Sequence, residues 1–186
     1  MGYDLIQELT SAIRVEQTLI EKLGLSQLKV GIQIIRDERG WRQDERLIEY
    51  IWVVHMSRSF VGWGGIIGVK FGVNDFRGKH HNAELLHGVF NIGIGNVVEL
   101  YSERLKHFEA DPVFTRFPKD LFHANEGLAL DGTSYAIHIM APNTDVFVSV
   151  NSPIIDEWKE WTQEVWSLGS ELSVRSQSRE LMELFS

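Results

Sequence analysis

Cysteine is missing from all 186 residues, and only four residues are proline. Without thiols there is no disulfide framework, zinc-ribbon site, thioredoxin-type redox pair or cysteine nucleophile. Membrane-length apolar runs are missing too. The uncharged apolar stretch at residues 59–69 has 11 residues, about half the twenty or so that a helix needs to span a bilayer. The first residues, Met1-Gly2-Tyr3-Asp4, reach Glu8 before any apolar run forms, so no secretory signal is expected. Gly2 invites comparison with a myristoylation site, but Ile6 stands where that signal needs Ser or Thr. The cytoplasm is the expected compartment, with no membrane attachment.

Positive charge is scarce, and unevenly so. The chain carries 18 Lys+Arg against 26 Asp+Glu, a net charge of −8. Residues 1–93 hold 11 of each sign; residues 94–186 hold 7 basic and 15 acidic, so the second half carries the whole imbalance. A field of that sign repels phosphate backbones, and nucleic acid is not an expected partner. It suits a basic protein surface, or simply a well-solvated one.

What is present is an ordinary globular composition, 44% hydrophobic and 24% charged, long enough for one sizeable core. In residues 3–23, Ile6, Leu9, Ile13 and Ile20 share one helical face, widened by Leu5 and Leu23, and Gly24 follows as a helix terminator. Leu28, Val30, Ile32 and Ile34 alternate with Lys29, Gly31 and Gln33, the period of a strand. A charged loop with Gly40 and Trp41 at its centre is expected over residues 36–46. Residues 47–56 are rich in β-branched and aromatic side chains and read as a strand, although Leu47, Ile48, Ile51 and Val54 also fit a helix. The glycine-rich residues 60–73 read as an irregular third strand.

Two helical segments are expected at 82–90 and 96–108, and a loop over 109–127 with turns at Asp111-Pro112 and Phe117-Pro118. Residues 128–140 and 146–150 read as a hairpin turning at 141–145, with a bend at Asp131-Gly132. Ser152 and Pro153 then open a long helix. In it Ile154, Trp158, Trp161, Val165, Leu168 and Leu172 form one seam by steps of four and three. Residues 173–186 are Ser-rich and end in the apolar Leu181 to Phe185, a tail that is mobile or self-associating on this reading. The expected fold is a single α+β domain, a mainly antiparallel sheet packed with N-terminal, central and C-terminal helices.

No motif names a reaction. The segment from Gly72 to His80 resembles a phosphate-binding loop but has five residues between its glycines, and His80 replaces the hydroxyl that would bind magnesium. Gly93 and Gly95 lack the third glycine of a dinucleotide fingerprint, because Val98 stands there. Neither a nucleophile elbow nor a His-Glu-x-x-His helix occurs. The densest ligand-capable cluster is His80, His81, Glu84 and His87, with Asp75 just before it. On a helix Glu84 and His87 share a face, as in carboxylate-bridged metal sites. Asp120 with His123 repeats the spacing, and Glu103 with His107 is an i,i+4 pair. A metal-dependent enzyme or metal-binding protein holding one divalent metal there is the alternative reading; incidental histidines at a solvated helix start are the plainer one. His55, His138 and Glu49 lie in apolar strands, where histidines are mostly satisfied core residues.

Aromatic side chains point to contacts instead. Trp41, set among four arginines and four acids, has the surroundings of an interface anchor, or of a ring that folds back under a stacked arginine. Trp166 falls off the apolar seam and is expected to face outward, and Asp156, Glu157, Glu160 and Glu164 surround the tryptophans of this helix with an acidic rim. The reading favoured by the sequence is therefore a non-catalytic, cofactor-free binding protein of the antagonist or immunity type. It would engage a basic protein partner through Trp41, Glu160, Glu164 and Trp166. A third reading is a small-ligand pocket beside the glycine-rich strand and Trp52 or Trp63.

Overall fold

In the computed structural model, which describes residues 15–22, 25, 27–58, 61–73, 84–91, 97–101, 117–118, 132–152 and 156–186, the apolar run at 47–56 is the middle of a 19-residue strand. This is β2 (Gly40–Arg58), and the sheet is laid down around it. The other strands are β1 (Gly31–Asp37), β3 (Gly62–Val73), β4 (Glu84–Asn91), β5 (Val97–Tyr101), β6 (Thr133–Ala141) and β7 (Thr144–Asn151). All pairings are antiparallel. The order is β5-β4-β3-β2-β6-β7, and β1 shares an edge of β2 with β6. β6 pairs with residues 51–58 of β2, β1 with residues 40–48. β3 joins β2 only from Arg46 onward, so the outer part of the β1–β2 hairpin runs beyond β3 as a two-stranded ribbon.

Among the described residues, three helices cover the sheet: α1 (residues 15–22), α2 (Asp156–Ser176) and α3 (Arg179–Leu184). Val15 and Leu19 of α1, with Leu25, pack on Ile48, Ile51, Val53, Ile67, Val69, Phe71, Leu86 and Phe90. The Leu25 amide donates to the Ile20 carbonyl at 2.9 Å, the six-to-one bond that closes many helices. The opposite face carries Trp52, Val54, Met56, Ile66, Val89, Tyr135, Ile137 and Ile139 and receives α2 and α3. The seam on α2 is as its spacing predicts, with Trp158, Trp161, Val165, Leu168 and Leu172 buried. Trp158, Trp161 and Phe117 meet edge to face, at centroid separations of 5.4–6.1 Å.

The fold is α+β, with an antiparallel sheet and helices from both ends of the chain, and four local expectations change. Residues 36–46 are not a loop. β1 continues to Asp37, the turn is Glu38-Arg39, and β2 starts at Gly40 with φ +110°. Asp first and Gly fourth is the pattern of a type I turn closed by a glycine at positive φ. Residues 84–91 and 97–101, expected as helices, are strands β4 and β5. Leu86, Val89 and Phe90 are buried against two different faces of the sheet, so the strand has no polar side and its apolar spacing imitates a helix. The β6–β7 turn is Pro142-Asn143, with Asn143 at φ +61° as a type II turn requires. Residues 3–14, Gly24, 74–83, 92–96, 102–116, 119–131 and 153–155 lie outside the described residues.

The last fourteen residues dock on the sheet. α2 runs to Ser176, Gln177 takes φ +57°, and Ser178 caps α3 by accepting the Leu181 amide at 3.3 Å. Leu181, Leu184 and Phe185 enter the core, and Asn91 Nδ2 donates to the Glu180 carbonyl at 3.4 Å. Leu181→Ala is therefore expected to cost about 2–5 kcal/mol. At ~2–4 °C per kcal/mol for a chain of this size, the loss is visible in a thermal melt. A midpoint within about 2 °C of the parent would show that α3 is not held in the core.

Candidate functional site

As a strand, β4 places its side chains alternately on the two faces, so positions 84 and 87 no longer share one. The helical spacing that suggested a Glu84–His87 metal pair is thereby lost. His80, His81 and Asp75 lie outside the described residues, as do Glu103, His107, Asp120 and His123. Among the described residues no three metal-ligating side chains converge.

His87 acquires a different neighbour. It pairs across the ladder with Gly68, which pairs in turn with Trp52 of β2. The Trp52 indole lies over Gly68, where a Cβ would collide with it, and reaches the His87 ring at a centroid distance of 5.8 Å. His87 is 3% exposed, and its Nε2 has no hydrogen-bond partner. Burial pushes its pKa down to about 4, so the imidazole is neutral near pH 7. A neutral imidazole with an idle nitrogen can give or take one hydrogen bond, or bind a metal through that nitrogen.

The same face continues to Tyr50 and Lys70. A register shift between Ile48 and Tyr50 turns Glu49 toward Lys70, whose Nζ lies 2.7 Å from Glu49 Oε2 and 5.6 Å from the Tyr50 ring centroid. Trp52 and His87 form a buried floor, with Glu49, Tyr50 and Lys70 more exposed beside it. Trp63 is half-buried further along β3.

A second histidine group occupies the other face. His138 Nε2 is 2.7 Å from Asp145 Oδ1, across the β6–β7 hairpin, and its ring faces Phe147 at 6.3 Å. His55 packs edge-on against Phe90 at 5.3 Å. Burial, and secondarily the nearby His138, push the His55 pKa down to about 4. His55 is thus half-buried and neutral near pH 7, while His138 is half-exposed and paired.

The residues expected to bind a partner are differently placed. Trp41 lies next to the hairpin turn, 68% exposed. Glu160 is exposed and Glu164 half-exposed on α2. Trp166, expected to face outward, is half-buried and held from within. Its indole N–H donates to Tyr135 Oη at 2.7 Å, Phe185 meets it at 5.6 Å, and the Arg58 guanidinium covers it at 5.6 Å. The Trp52–His87 contact and the His138–Asp145 pair were not legible beforehand. Each depends on strand register, and only the Pro142-Asn143 turn signal would have aligned the second. No protein-family model, curated protein or solved structure matches the chain.

Both low histidine pKa values make stability pH-dependent with a defined sign. In the unfolded chain these rings take up protons near pH 6.5; in the folded protein, only near pH 4. The stabilisation is fully present above about pH 6.5 and is lost as pH falls toward 4. Urea midpoints measured from pH 7.5 to 4.5 are expected to fall, and His87→Leu is expected to flatten the slope. The variant should lose little at pH 7, because Leu leaves no orphaned polar atom. An unchanged slope in His87→Leu would show that His87 does not titrate with unfolding.

Proposed function

We propose that this protein acts in the cytoplasm by binding another protein, and that the β1–β2 hairpin tip is its anchor. The observation that carries the reading is the exposure of Trp41, 68%, on a ribbon that runs beyond β3. Burying a tryptophan on association removes a large apolar surface from water, and such rings recur at the energetic centres of interfaces. Its neighbours at the turn, Glu38 and Arg39, are exposed charges suited to a polar rim. The acidic residues Glu160 and Glu164 add a field that favours a basic partner and speeds its approach.

The test compares tagged parent protein, Trp41→Ala, and Glu160→Lys with Glu164→Lys, each first shown to melt like the parent. The partner recovered by the parent is then titrated against all three. Trp41→Ala is expected to weaken binding by about thirtyfold or more, as a hot-spot tryptophan does. The Lys variant is expected chiefly to slow association and reduce its salt dependence. A partner bound equally well by Trp41→Ala would overturn the assignment of the anchor.

A further inference from the structure

β7 ends the sheet, and among the described residues nothing pairs with its outer edge. Residues 144–147 are exposed, Phe147 to 66% and Val146 to 37%. An open edge offers a row of unpaired N–H and C=O groups. Natural sheets guard such edges with Lys, Pro, bulges or shortness. β7 has none of these devices, and its one charged side chain, Asp145, is paired with His138 of its own hairpin. Its sequence, Thr144-Asp145-Val146-Phe147-Val148-Ser149-Val150-Asn151, contains no Lys, Arg, Pro or Gly. It is eight residues long, and its pairing with β6 runs without a register shift.

We infer that β7 is a dimerisation edge, at which the β7 of a second copy adds antiparallel about a two-fold axis to make one continuous sheet. For the sheet faces to continue, opposed positions must have equal parity, and a two-fold through Phe147 satisfies this. It sets Phe147 against Phe147 of the second copy, Val146 against Val148, Asp145 against Ser149, and Thr144 against Val150. Phe147 and the 146/148 valines meet apolar partners, the carboxylate meets a hydroxyl, and the β-branched Thr144 meets Val150.

Charge selects the same occupant. Asp145 is the only charged residue of β7, and it already contacts His138 at 2.7 Å. In this register the two Asp145 side chains lie about 13 Å apart along the strands. That exceeds the screening length of about 8 Å at physiological salt. A strand of matching length and pattern, without opposed like charges, is supplied by the protein itself at its own concentration. The overlap offers about six to eight backbone hydrogen bonds and a modest apolar area, so the dimer belongs to the weak class below ~1,200 Å².

The full chain is tested by sedimentation equilibrium from low micromolar to near-millimolar concentration. A monomer–dimer equilibrium is expected, weakened at least tenfold by Phe147→Lys, which opposes two like charges at the axis. Because the chain has no cysteine, single introduced thiols report the register even where Phe147→Lys perturbs folding. Phe147→Cys is expected to form a disulfide dimer under mild oxidation much faster than Thr144→Cys, whose two copies lie about 20 Å apart along the strands. A chain monomeric throughout, a dimer indifferent to Phe147→Lys, or equal cross-linking of the two cysteine variants would each overturn the inference. So would a β7 edge that pairs only with a different protein.

Discussion

The molecule depends on one strand having no face to spare. Ile51, Trp52, Val53 and Val54 in the middle of β2 are all buried, so water must be excluded from both sides of the sheet there. An antiparallel sheet can leave one face wet, but this one cannot without exposing Ile51 and Val53 or Trp52 and Val54. Hence the helices: α1 covers one side and α2 with α3 the other. The tryptophan-rich seam on α2 is long because it must seal β6, β2, β3 and β4 together. The burial of Leu181, Leu184 and Phe185 completes that cover at the end where Gly64 lets Leu184 lie close to β3.

The same constraint explains which parts of the fold are legible in the sequence. α2 has one buried stripe and one wet one, and its seam can be counted residue by residue. β6 alternates buried Tyr135, Ile137 and Ile139 with half-exposed neighbours, and its period is equally plain. β4 is buried on both sides, its apolar residues follow no period of two, and a helix fits them as well. The charged segment at 36–46 misleads for the opposite reason. A ribbon beyond the sheet has little apolar surface to bury, so only the Asp-x-x-Gly turn signal marks it as a hairpin.

The candidate site was legible only as a list of residue types. Histidine spacing pointed to a metal through helical geometry that β4 does not have. The contact that exists instead, His87 with Trp52 over Gly68, joins three strands and follows from ladder register. A buried, neutral imidazole with one idle nitrogen lowers stability compared with an apolar residue of similar size. Among the described residues, the unused hydrogen-bonding capacity of the core lies at two atoms, His87 Nε2 and the Trp161 indole nitrogen. The acidity of the second half includes the exposed Asp156, Glu157 and Glu160 of α2.

Strand order also bears on how the chain is made. β1 through β5 each pair antiparallel with the next strand in sequence. The inner half of β2 is different, because its second neighbour is β6. Met56 meets Tyr135 across a separation of 79 residues. At a synthesis rate of about 5–20 residues per second, several seconds pass between the emergence of β2 and that of its partner. During that interval the apolar centre of the sheet has an unpaired edge and no α2 above it. A half-sheet formed in that interval would keep this edge and face uncovered until β6, α2 and α3 arrive.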